Sequence, residues 1–136
     1  MKKLMLSGFL FMLITFSCEN EASVKGAYQG NTVEIKYGET KSSLNDGMGV
    51  RLDSVLNDSR CPRLGQCCWM GNAEVRFIYS NNNESINFVL NTCPNFRTDT
   101  LIDGYRIKLV KLNPYPETGG DIMPEDYCAE ILITKE

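Results

Sequence analysis

The side chains with the greatest chemical capacity fall in one stretch, Asp58-Ser59-Arg60-Cys61-Pro62-Arg63-Leu64-Gly65-Gln66-Cys67-Cys68-Trp69-Met70-Gly71-Asn72-Ala73, which holds three of the chain's six cysteines. Histidine is absent from all 136 residues. Without imidazole there is no Ser-His or Cys-His nucleophile, no His-ligated zinc and no histidine pH switch. Four thiolates such as Cys61, Cys67, Cys68 and Cys93 are a ligand set for zinc or an iron-sulfur cluster. No paired Cys-X-X-Cys spacing occurs, so neither a metal nor any other cofactor is expected. Adjacent Cys67-Cys68 offers a strained, reducible link, but structural bridging is the expected use of these thiols.

In an exported chain, cysteines six apart across Pro62 and Gly65 read as a small disulfide loop, Cys61 to Cys67. Closing so short a loop stabilises by about 2 kcal/mol on the chain-entropy picture. The guanidinium of Arg60 beside Asp58 is expected to pair with that carboxylate or with nearby carbonyls and so fix the loop; clamping an anionic ligand is the alternative. Trp69 is expected to pack in the core against the bridge. Asp58, Arg60, Pro62 and Trp69 are therefore the candidate binding residues. Asp121, Glu125 and Asp126 beside Gly119-Gly120 do not follow a calcium-loop spacing and read as a solvated acidic loop.

Whether these thiols oxidise depends on the compartment, and the N-terminus addresses that. Lys2-Lys3, an apolar run from Leu4 to Phe16, and Ser17 form the charged, apolar and small-residue parts of a secretory signal over residues 1–17. The run falls short of the roughly 20 apolar residues that span a bilayer. Ser17-Cys18 resembles the lipobox of bacterial lipoproteins, which implies that Cys18 is lipidated and becomes the new N-terminus. Acyl chains, at about 0.8 kcal/mol per buried CH2, then hold the protein on a membrane without a spanning segment. Glu19 and Glu21 are similar to the surface-export signals of some Gram-negative lipoproteins. The expected address is the bacterial cell envelope, at the outer membrane, facing the periplasm or the exterior. Residues 18–30 are the lipidated cysteine and a polar tether, and residues 31–136 a single domain. The formal net charge of −3 leaves no basic surplus for a nucleic-acid phosphate backbone.

The elements that must position the loop have an apolar period of 2. Val33, Ile35 and Tyr37 alternate with polar residues, as do Met48, Val50 and Leu52 after the turn signal Asn45-Asp46-Gly47, until Val55-Leu56 breaks the register at an expected bulge. Ala73, Val75, Phe77 and Tyr79 share a face, and Ile86, Phe88 and Leu90 repeat the pattern beyond Asn81-Asn82-Asn83, which marks a hairpin. Tyr105, Ile107 and Leu109 follow the turn at Asp103-Gly104, and Tyr127, Ala129, Ile131 and Ile133 close the chain. Asn113-Pro114-Tyr115-Pro116 and Gly119-Gly120 form a long connection. At least six short strands and no helical period predict an all-β fold, an antiparallel β-sandwich, immunoglobulin-like in general layout, with a small β-barrel as the alternative.

Ser59-Arg60-Cys61-Pro62, then Cys67, Trp69, Gly71 and Ala73, resemble the motif of a family of small, largely uncharacterised bacterial lipoproteins. The resemblance extends from about Val33 to Ile133 and implies a β-sandwich domain, but it brings no known reaction. Cys68 departs from the aliphatic residue expected before the tryptophan. Side chains two apart share a strand face. Extending the Ala73 face backward places Trp69 inward and Cys68 outward, and the Leu90 face places Cys93 outward. A second bridge, Cys68 to Cys93, is expected on that parity, with Cys128 left over or competing for Cys93. The functional expectation is a lipid-anchored, non-enzymatic binding module. An inhibitor or accessory subunit of an envelope enzyme is the first alternative, and a small carboxylate-dependent envelope hydrolase the second.

Overall fold

Alternation of apolar and polar residues becomes strands in a computed structural model that describes residues 29–43 and 46–136. The leader, Cys18 and the tether up to residue 28 lie outside the described residues. The described residues form eight strands, β1 Gln29–Lys36, β2 Thr40–Ser42, β3 Gly49–Asp58, β4 Ala73–Ser80, β5 Ser85–Asn91, β6 Asp99–Ile102, β7 Tyr105–Asn113 and β8 Cys128–Lys135. They form two four-stranded sheets in the orders β1-β8-β7-β6 and β2-β3-β4-β5, antiparallel throughout. Neither closes on the other, so the domain is a sandwich and not a barrel. The first strand starts at Gln29, inside the range expected for the tether. The expected strands are all present. The short β2 and β6 are additional, because three or four residues carry too little alternation to read.

Inward positions of both sheets make one core. Ile35, Leu52, Phe77, Tyr79, Ile107 and Ile131 are essentially without exposure, and the rings of Phe77 and Phe88 stack at 5.5 Å between centroids. Each such side chain contributes about 1.5–3 kcal/mol by leaving water. Tyr37, expected on the inner face, is instead 41% exposed, because β1 has ended at Lys36 and the chain is crossing to the other sheet. The pairing of β3 with β4 shifts register between Leu52 and Ser54 and again between Val55 and Asn57, where Val55-Leu56 breaks the alternation.

Strand direction separates two ends. β1 starts with Gln29 opposite Thr134 and finishes with Lys36 opposite Cys128. At the Gln29 end lie the tight turns: the Asn81 side-chain amide of the β4–β5 turn donates to the Asp103 carboxylate of the β6–β7 turn at 2.7 Å. At the Lys36 end, about 25 Å away for a strand of this length, lie the long β3–β4 and β7–β8 connections.

Candidate functional site

The β3–β4 connection is held down from its first residues. Arg60, only 6% exposed, donates through Nε and Nη2 to both carboxylate oxygens of Asp58, at 2.8 and 2.6 Å. Its Nη1 donates to the Leu112 carbonyl at 2.6 Å, and Nη2 also to the Pro114 carbonyl at 2.9 Å. The fork thus ties the end of β3 to the start of the β7–β8 connection, as the intramolecular expectation for this pair required. The Tyr127 hydroxyl donates to Asp58 Oδ2 at 3.0 Å. Burial alone would raise the Asp58 carboxyl. The hydrogen bonds and charge of Arg60, helped by Tyr127, outweigh that and hold it below the usual carboxylate range. Burial and the Asp58 carboxylate push the Tyr127 phenol up to about 12.

Above this pair the connection doubles back on itself. Ser59 N–H donates to the Asn72 carbonyl at 2.8 Å and Cys61 N–H to the Met70 carbonyl at 3.0 Å. The return is possible because Gly71 takes a left-handed φ of 74°, and a Cβ there would lie 1.9 Å from the Ser59 carbonyl oxygen. Cys61 and Cys67 form the expected disulfide, with Cα atoms 5.9 Å apart. Tyr115 braces it: its hydroxyl donates to the Cys61 carbonyl at 2.9 Å, and its ring lies beneath the Arg60 guanidinium, 5.1 Å from the centroid. Arg63 and Leu64 N–H groups reach the Pro116 and Glu117 carbonyls at 3.0 and 3.1 Å.

Two expectations are corrected here. Trp69 is 55% exposed and stands beside the loop, not in the core. Cys68 and Cys93 are not bridged to each other: Cys68 is an exposed free thiol and Cys93 a buried one. Both errors come from carrying strand parity past the strands. Between β3 and β4 the backbone is not extended sheet, and Gly71 turns it over. Beyond β5 the chain bends at once, with Asn91 N–H on the Arg97 carbonyl at 2.8 Å. There the buried Asn72 side chain bonds Asn91 Oδ1 at 2.8 Å and accepts Cys93 N–H at 3.1 Å, drawing Cys93 inside. Cys128 is a third free thiol, pushed up by burial and by Glu34. Cys61, Cys67, Cys68 and Cys93 are not gathered into a ligand group.

Between the free side of β3 and the β7–β8 connection runs an open cleft of about 610 Å³. It is lined by the run from Ser54 to Pro62 and by Tyr37, Trp69, Asp121, Ile122 and Tyr127. All four candidate binding residues border it: Asp58 and Arg60 as paired, inward-turned scaffold, Pro62 and Trp69 as surface. The scaffolding roles of Tyr115 and Tyr127 had no local signal, since their partners lie 54 and 69 positions away.

Fold and site together define an antiparallel two-sheet sandwich with a disulfide-tied loop and a cleft at one end. No family model, curated protein or solved structure matches the chain.

Proposed function

We propose that the protein is a lipoprotein of the bacterial cell envelope, anchored at the outer membrane through an acylated Cys18, whose sandwich binds a ligand or partner at its loop end and catalyses no reaction. The observation that carries this reading is the cleft beside the Cys61–Cys67 loop, bordered by exposed Trp69 while its Asp58 and Arg60 charges are locked together. A carboxyl held ionised by Arg60 is a poor general acid, and a phenol near 12 is a poor base at neutral pH. The arrangement therefore favours a rigid receptor surface over a hydrolytic site. Its direction fits an anchor as well. The tether joins β1 at Gln29, the end remote from the cleft, so a membrane-held chain presents its loops outward. The resemblance to small bacterial lipoproteins, carried by Ser59 to Pro62, Cys67, Trp69, Gly71 and Ala73, supports the same address.

The inhibitor or accessory reading differs in its partner, an envelope enzyme. It draws support from Leu64, which projects from the tied loop at 77% exposure, as an insertion residue would. The anchor is tested by comparing the chain with Cys18→Ala in cell fractionation and radiolabelled-palmitate incorporation. Label and membrane retention should both be lost in the variant; unchanged retention would remove the lipoprotein assignment.

A further inference from the structure

The second sheet leaves one strand half covered. β2 pairs with β3 only at Gly49, Val50 and Arg51. The crossing segment extends this to Leu52, whose carbonyl accepts Gly38 N–H at 2.8 Å and whose N–H donates to the Glu39 carbonyl at 3.3 Å. From Asp53 to Asp58, among the described residues, no strand lies on that side of β3. A sheet edge of this kind is a row of alternating backbone donors and acceptors that templates another strand. From Ser54 onward the edge lines the cleft, which Tyr37 and Trp69 also border with 41% and 55% exposure. The two register shifts in this half of β3 twist it away from a long flat pairing. A short guest of a few residues suits it better than a second copy of a whole strand.

Charge narrows the guest further. Asp58 is neutralised by Arg60. Asp121, and Glu125 and Asp126 in the adjoining turn Pro124–Asp126, pair with no Lys or Arg among the described residues. Asp121 and Trp69 both border the cleft, so a Lys or Arg side chain from a guest strand would find there a carboxylate to pair with and an indole to pack on.

We infer that the free edge of β3 from Asp53 to Asn57 is a docking strand for an extended, cationic polypeptide segment, which adds to the sheet by backbone hydrogen bonds and brings basic side chains to Asp121 and Trp69. The inference rests on the binding-module reading and names its ligand class. Main-chain pairing supplies affinity in this mode, and alternate side chains supply selectivity.

The test uses the full-length chain in detergent and fluorescein-labelled decapeptides alternating Val with Lys, Val with Glu, and Val with Lys carrying N-methyl groups on alternate amides in either register. Expected is at least tenfold tighter binding of the Lys peptide than of the Glu peptide. N-methylation in one register should cost tenfold or more, Asp121→Lys should abolish the charge preference, and hydrogen exchange should slow at those amides between Asp53 and Asn57 that face away from β4. Equal binding of Lys and Glu peptides, indifference to N-methylation, or protection elsewhere overturns it. Binding of a neutral oligosaccharide such as chitohexaose in the cleft, with no peptide bound, overturns the ligand class yet leaves the binding module standing. A loop end that contacts nothing in the cell removes the module itself.

Discussion

Arg60 and Asp58 show how a charge pair becomes framework instead of reagent. Each guanidinium nitrogen of Arg60 donates inside the protein, so the side chain cannot turn to a ligand without orphaning a largely buried carboxylate, 12% exposed, and two carbonyls. Arg60→Met should cost about 3–5 kcal/mol in urea unfolding, and Arg60→Lys most of that, since a point charge cannot reproduce the fork. Because the Asp58 carboxyl is lowered in the folded state, its contribution is complete above the unfolded value and is lost as pH falls through the folded one. The gap in unfolding midpoint between the native chain and Asp58→Asn should therefore be full at pH 7 and narrow below about pH 4; a gap unchanged at pH 3 would mean that Asp58 is not held this way. Tyr127 has the opposite sign. Its raised phenol contributes below the ordinary tyrosine value near 10, and that contribution is lost as pH rises towards about 12. Trp69 tests the other kind of residue. At 55% exposure, Trp69→Ala should shift stability by no more than about 0.5 kcal/mol, against the loss of about 3–5 kcal/mol expected of a core Phe77→Ala.

At the scale of elements, the β3–β4 connection is built by one glycine, one disulfide and one tyrosine brace. Gly71→Ala puts a methyl group into the Ser59 carbonyl and holds an L residue at φ 74°. It should destabilise by about 3 kcal/mol or more in thermal or urea unfolding, and a neutral outcome would show that the doubled-back path is wrong. The same glycine marks where sequence reading stopped working. Strands of seven or more residues were legible because period 2 has one structural meaning while the backbone stays extended, and Cys61 to Cys67 was legible because both partners lie in one short loop. Cys68 is exposed as its parity requires, but parity carried through Gly71 and past Asn91, where the extended backbone ends, turns Trp69 inward and Cys93 outward, the reverse of where they lie. The Leu112 and Pro114 carbonyls, and Tyr115 and Tyr127, were invisible as site residues because they meet Asp58, Arg60 and Cys61 only after the two sheets pack.

At the scale of the whole molecule, an antiparallel sandwich has two ends, and this chain uses them differently. Tight turns and the start of β1 occupy one; the tied loop, the free half of β3 and the cleft that Asp121 borders occupy the other. A chain fastened before β1 would hold its cleft beyond the far end of the sandwich, which is where a receptor surface is useful. The most direct measurement is photo-crosslinking in intact cells of the native host, with benzoylphenylalanine placed singly at Leu56 or Trp69 by the cleft and at Asn82 in the β4–β5 turn, all three exposed. Discrete adducts should form from the Leu56 and Trp69 positions and not from Asn82. Adducts from Asn82 alone, or none from either cleft position, would contradict the assignment of this end as the binding surface.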